Sequence, residues 1–96
     1  MVRSGLGAFI GGERVTALDL LGFKRQVIFS TFCARLIFDA PDNDVSYGAA
    51  AAHNRSMAEF ADADDRLIGV AMVPLDDPDQ ALIEINTALD MGLGAV

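Results

Sequence analysis

The sequence has no tryptophan, one cysteine, one histidine, one tyrosine and only seven basic residues among 96. A single cysteine, Cys33, excludes an internal disulfide and fits a reducing compartment, so the expected location is cytoplasmic. A single histidine, His53, has no second histidine four residues on and no carboxylate at a ligand-like spacing. No site of three protein ligands can be assembled around it. The seven basic residues face fourteen acidic ones, and residues 36–96 hold two of the former against twelve of the latter. Binding nucleic acid calls for a basic face, so that class of partner is excluded. The longest stretch free of charge, residues 45–54, is ten residues long, against the roughly 18 to 20 that cross a bilayer. No membrane span and no secretory signal is expected: the opening Met1-Val2-Arg3 runs into a glycine-broken stretch followed by Glu13-Arg14, without a small-x-small cleavage pattern.

What is present is apolar. Hydrophobic residues make up 52% of the chain and mean hydropathy is +0.34, which suits segments buried on several sides. A chain of this size buries only about 60 to 70% of its unfolded surface, so the excess predicts self-association or a completing chain.

The elements alternate. Val15, Leu18 and Leu21 are spaced three apart in a short helix over residues 13–21 that stops at Gly22. Residues 26–32 (QVIFSTF) are β-branched and aromatic, the pattern of a strand covered on both faces. Residues 33–44 read as a long loop with Pro41 and three aspartates. Asp44 or Ser46 is expected to cap a helix reaching Asp62, with Ala50, His53, Met57 and Phe60 on one face and Arg55, Glu59 and Asp62 on the wet one. Residues 67–75 (LIGVAMVPL) suit a second buried strand. Asp77-Pro78-Asp79-Gln80 is a strong helix start, with an N-cap carboxylate, proline at the first helical position and a capping-box Gln80. That helix is expected to bury Ala81, Leu82, Ile85, Ala88 and Leu89 and to end at Gly92, where residues 93–96 open a third strand.

This alternation is that of a parallel α/β sheet. The motifs LDLLGFKRQVIFSTF (18–32), YGAAAAHNRSMAEF (47–60) and RLIGVAMVPLDDPDQAL (66–82) together resemble the amidohydrolase-related family of metal-dependent hydrolases and decarboxylases, which includes the aminocarboxymuconate-semialdehyde decarboxylase-like enzymes. The resemblance is carried by Leu18, Asp19 and Gly22, by Ala52, Asn54, Ala58 and Glu59, and by Arg66, Gly69, Ala71, Val73, Pro74, Leu75, Asp77, Pro78 and Ala81. It implies a partial (β/α)8 TIM barrel: about two β/α units, a preceding helix and the start of a further strand. It also implies a small-molecule substrate and a divalent metal such as zinc in the intact enzyme, for hydrolysis or non-oxidative decarboxylation. The family's metal ligands are a His-x-His pair after strand 1, histidines after later strands and a late aspartate. None has a counterpart here, so no cofactor is expected on this chain alone. The expected organisation is one incomplete barrel segment over residues 1–96, with a flexible stretch at 1–12 and β/α units at 13–96. A stand-alone α/β binding module completed by oligomerisation is the alternative.

Each candidate residue also has a plainer role. His53 fits a packed, hydrogen-bonded core histidine, and Cys33 a small apolar residue at a strand end rather than a nucleophile paired with His53. Asp39, Asp42 and Asp44 lack the glycine and distal glutamate of a calcium loop and suit turns and caps. The glycines of GLGAFIGG (5–12) follow no strand, so they read as a loop rather than a dinucleotide site. Barrels of this kind place active sites at the carboxyl ends of their strands, which leaves Phe32 and Asp76 as candidate substrate-pocket walls, with ordinary core packing and support of the helix cap as their plainer roles.

Overall fold

In a computed structural model, which describes residues 7–96, six elements follow in the order α1 (Gly11–Leu21), β1 (Gln26–Ile28), α2 (Phe32–Phe38), α3 (Asn43–Ala61), β2 (Leu67–Gly69) and α4 (Pro78–Asp90). The class is mixed α/β. Strands β1 and β2 pair in parallel, Gln26 opposite Leu67 and Ile28 opposite Gly69. A parallel bridge from Val70 to Ala95 extends the arrangement by one further position, and Gly94 N–H and Ala71 N–H close it on Gly69 O (3.0 Å) and Ala95 O (2.8 Å). Two crossovers result, α2–α3 between β1 and β2, and α4 between β2 and the Ala95 bridge. Parallel neighbours require such crossovers because no tight turn can join them.

Helix α3 is the organising element, in contact with β2, α1, α2 and α4. Its first turn is capped by Asp42, whose side chain accepts the Val45 N–H at 2.8 Å. The expected caps act otherwise: Asp44 lies one residue inside the helix, and Ser46 donates to Ile37 O at 2.8 Å, tying α3 to the end of α2. One core cluster joins Met57, Ala71, Val73, Ala81, Ala88 and Leu93, with Ile28 and Ile85 packed on it. A second joins Ile37, Ala50 and Met72. Gly69 is needed where α3 and residue 93 approach the strand: a Cβ there would lie 2.7 Å from Leu93 Cδ2 and 2.8 Å from Met57 Cγ. Helix α1 starts at Gly11, two residues earlier than expected, and Gly11 sits so close to α3 that any Cβ would strike the Phe60 carbonyl. It ends at Gly22, left-handed at φ 78°, whose N–H and that of Phe23 both reach Leu18 O. The first twelve residues are therefore not all loop; Gly5 and the others up to residue 6 lie outside the described residues.

Five expectations need correction. Strand β1 is three residues rather than seven, and the predicted loop after it begins with a helix, α2. Its sequence FCARLIF puts Ile37 and Ala34 against Ala50 and Ala49 of α3, and packing outweighs the weak local signal of a seven-residue helix. The segment expected as a strand covered on both faces is open on one, since Val27 of β1 is 54% and Phe29 just beyond it 68% exposed. The run 67–75 is ladder-paired only at its start, because residues 71–74 have no strand beside them beyond the single bridge and Pro74 has no N–H to give. Leu82 and Leu89 of α4 are 60% and 53% exposed, whereas Ala81 and Ala88 are buried. Ala81, Ala88 and Ile85 of α4 pack on the core, whereas Leu82, Ile83 and Leu89 are exposed among the described residues.

The molecule is a slab. Its extents are 42 × 30 × 15 Å and its radius of gyration is 14.2 Å, against about 12.5 Å for a compact domain of this length. A thickness of 15 Å is one layer of helix on one layer of sheet. No helix among the described residues is long and apolar enough to cross a membrane.

Candidate functional site

The polar groups of the interior gather where the strands end. Ser30 lies two residues beyond β1, half-exposed, and its Oγ is 2.8 Å from Nε2 of His53 on α3. The other imidazole nitrogen, Nδ1, is 2.9 Å from Oδ1 of Asn54. Asn54 is completely buried and meets the backbone of one residue twice: its Nδ2 donates to Met72 O at 2.9 Å, and its Oδ1 accepts Met72 N–H at 2.8 Å. Its side-chain amide thus serves residue 72 as a neighbouring strand would, where no strand is present among the described residues. Leaving those two backbone groups buried and unpaired costs about 1–3 kcal/mol each.

This double contact fixes the proton arrangement. Met72 N–H is a donor and Met72 O an acceptor, so the amide of Asn54 can sit only with Oδ1 toward the N–H. Oδ1 then accepts from Nδ1–H of His53, which leaves Nε2 as the nitrogen that meets the Ser30 hydroxyl. Serine, imidazole and amide form one directional chain from a half-exposed hydroxyl to the buried backbone.

A second support stands beside it. The hydroxyl of buried Tyr47 donates to Pro74 O at 2.7 Å, lies 3.0 Å from Asp77 O and accepts Asp77 N–H at 3.1 Å. It clamps the connection between residue 74 and α4 that carries Asp76. At the start of α4 the side chain of Asp77 accepts the N–H groups of Asp79 (3.1 Å) and Gln80 (3.3 Å). The N-cap is as expected, but Asp77 N–H is taken by Tyr47, so the reciprocal half of the capping box from Gln80 is not formed.

The two expected wall residues differ in setting. Asp76 is exposed on the clamped connection. Phe32 is 90% exposed at the first position of α2 rather than at a strand end or in the core. Cys33, next to it, is exposed in α2 rather than at a strand end, and His53 bonds to Ser30 and Asn54 instead. His53 is buried and hydrogen-bonded through both nitrogens. Within the motif over residues 18–32, Ser30 reads as part of a covered strand, which hides its role. The available signal is the hydroxyl pair Ser30-Thr31 in an apolar run, with a His-Asn pair on the next long helix.

Among the described residues no three His, Cys, Asp or Glu side chains come together, so the residues present do not fit the divalent metal that the resemblance implies. The charged cluster of the fold lies before β2 instead. Arg66 donates to Asp64 (3.2 Å) and Asp19 (2.7 Å), and its side-chain and backbone N–H groups hold the Asp64 carboxyl below the usual carboxylate range. Comparison of the chain with family models, curated proteins and solved structures finds no match.

Proposed function

We propose that the chain forms two β/α units of an eightfold β/α barrel of the amidohydrolase-related type, a metal-dependent enzyme for hydrolysis or non-oxidative decarboxylation of a small organic substrate. In this reading the carboxyl ends of β1 and β2, with Phe32 and Asp76, supply part of the pocket wall. The metal-binding groups belong to other units of the barrel, and no step of the chemistry is assigned to this chain's own residues.

The observation that carries the reading is a parallel pair of strands clothed on one side only. Helices α1, α3 and α4 sit side by side as they do outside a barrel, while Val27 on the other face of β1 is open. In a closed barrel that face is filled by side chains from the remaining strands, and the edges disappear. The exposed Leu82, Ile83 and Leu89 of α4 fall where the helix of a following unit would pack. Of the residues that carry the family resemblance, Asp77 and Pro78 start α4 and Asn54 of the α3 motif holds Met72 beyond β2.

Light scattering on a sizing column, with ANS fluorescence, tests this. Open edges and a large apolar face on so small a domain lead to association or dye binding, so oligomers or an ANS-positive state are expected. A compact 10.2 kDa monomer that binds no ANS overturns the reading in favour of a self-sufficient binding module.

A further inference from the structure

We propose that Ser30 is an acyl-accepting nucleophile, with His53 as its general base and Asn54 as the group that orients the base, acting on small carboxylic esters. The inference goes beyond the barrel reading and does not rest on it, because every atom involved belongs to this chain.

Three features carry it. The Oγ to Nε2 distance of 2.8 Å and the Nδ1 to Oδ1 distance of 2.9 Å fall in the range for a nucleophile, its base and an orienting third group. An amide in the third position fails when its NH2 turns toward the imidazole and selects the wrong tautomer. Here Met72 prevents that turn by occupying both ends of the Asn54 amide. Finally, the burial is graded: Asn54 is fully buried, His53 is nearly so and Ser30 is half-exposed. The base is screened from solvent while the hydroxyl it serves is reachable. Phe29 and Phe32, exposed on either side of Ser30 in the chain, offer apolar surface to an acyl group.

The reaction balances with water alone. Ser30 Oγ bonds to the ester carbonyl carbon as its proton passes to His53 Nε2. The C–O bond to the leaving alkoxide breaks, and the alkoxide takes the proton from His53. Water then attacks the acyl-serine, gives its proton through His53 to Ser30 Oγ, and the acid departs. The neutral amide of Asn54 stabilises the imidazolium less than a carboxylate does, so turnover is expected to be slow and the acyl-enzyme to be detectable.

The test is labelling of the full 96-residue chain with an alkyl fluorophosphonate, which phosphonylates an activated serine with loss of fluoride, followed by peptide mass spectrometry. Ser56, exposed on α3, is the internal reference. Ser30 is expected to react on the order of 100-fold or more faster than Ser56, as general-base assistance provides. Ser30→Ala should abolish the fast adduct, and His53→Gln should slow it to the rate of Ser56. Labelling of Ser30 no faster than Ser56, an equally fast adduct in Ser30→Ala, or an unchanged rate in His53→Gln each overturns the proposal.

Discussion

Asn54→Ala is the substitution whose effect the geometry defines most closely. The wild-type amide pairs with both backbone groups of Met72, a residue that is itself buried, and with His53 Nδ1. Alanine strands the Met72 N–H and C=O together. At about 1–3 kcal/mol for each buried unsatisfied group, the cost is about 2–6 kcal/mol, toward the lower end if water enters the vacated space. A chain of 96 residues has about 5–14 kcal/mol to lose, taking roughly 0.05–0.15 kcal/mol per residue. The substitution therefore removes a large share of the total. Urea melts followed by circular dichroism are the assay. With a slope of about 2 kcal/mol/M, the middle of the usual range, the midpoint should fall by roughly 1–3 M. Ser30→Ala leaves one group, His53 Nε2, without its partner and should cost about half as much, about 1–3 kcal/mol. If Asn54→Ala melts with Ser30→Ala, the amide does not replace a strand at Met72 and the assigned direction of the His53 proton fails with it.

Two other outcomes follow from local geometry. Asp77→Ala removes the acceptor for Asp79 and Gln80 N–H and should cost about 0.5–2 kcal/mol, read as a lower thermal midpoint; an unchanged midpoint contradicts the capping role. Because the Asp64 carboxyl is held low by Arg66, its contribution is present above the unfolded-state value near about 4 and is lost as pH falls through the depressed folded-state value. The stability gap between wild type and Arg66→Gln should thus be widest near neutrality and narrow below about pH 4; a gap constant across that range refutes the pairing.

The elements most legible in the sequence were those whose ends are written in special residues. Asp77-Pro78 start α4 and Gly22 ends α1 because caps and left-handed turns are local events that a few side chains decide. Helix α2 was not legible, since its existence depends on Ile37 and Ala34 meeting α3, a contact without local trace. The burial of α4 was misjudged for a related reason. Period alone selects Leu82 and Leu89 along with Ala81 and Ala88, and only the position of the sheet shows that the alanines face it. At the site, Asp76 and Phe32 were named from where barrels keep their chemistry, whereas the Ser30–His53–Asn54 chain spans two elements 23 residues apart. Sequence offers no measure of that distance.

The clamp at Tyr47 bears on how the site can move. One hydroxyl on the first turns of α3 holds the carbonyl of residue 74 and the amide of residue 77, on either side of Asp76. Flexing of that connection must break both bonds or carry the amino end of α3 along, and Ser46 anchors that end to α2. Opening there is consequently cooperative with undocking of a nineteen-residue helix rather than the fast fraying of a loop. Asp76 thus stands on a fixed rim, and any gate over this end of the strands has to come from another segment.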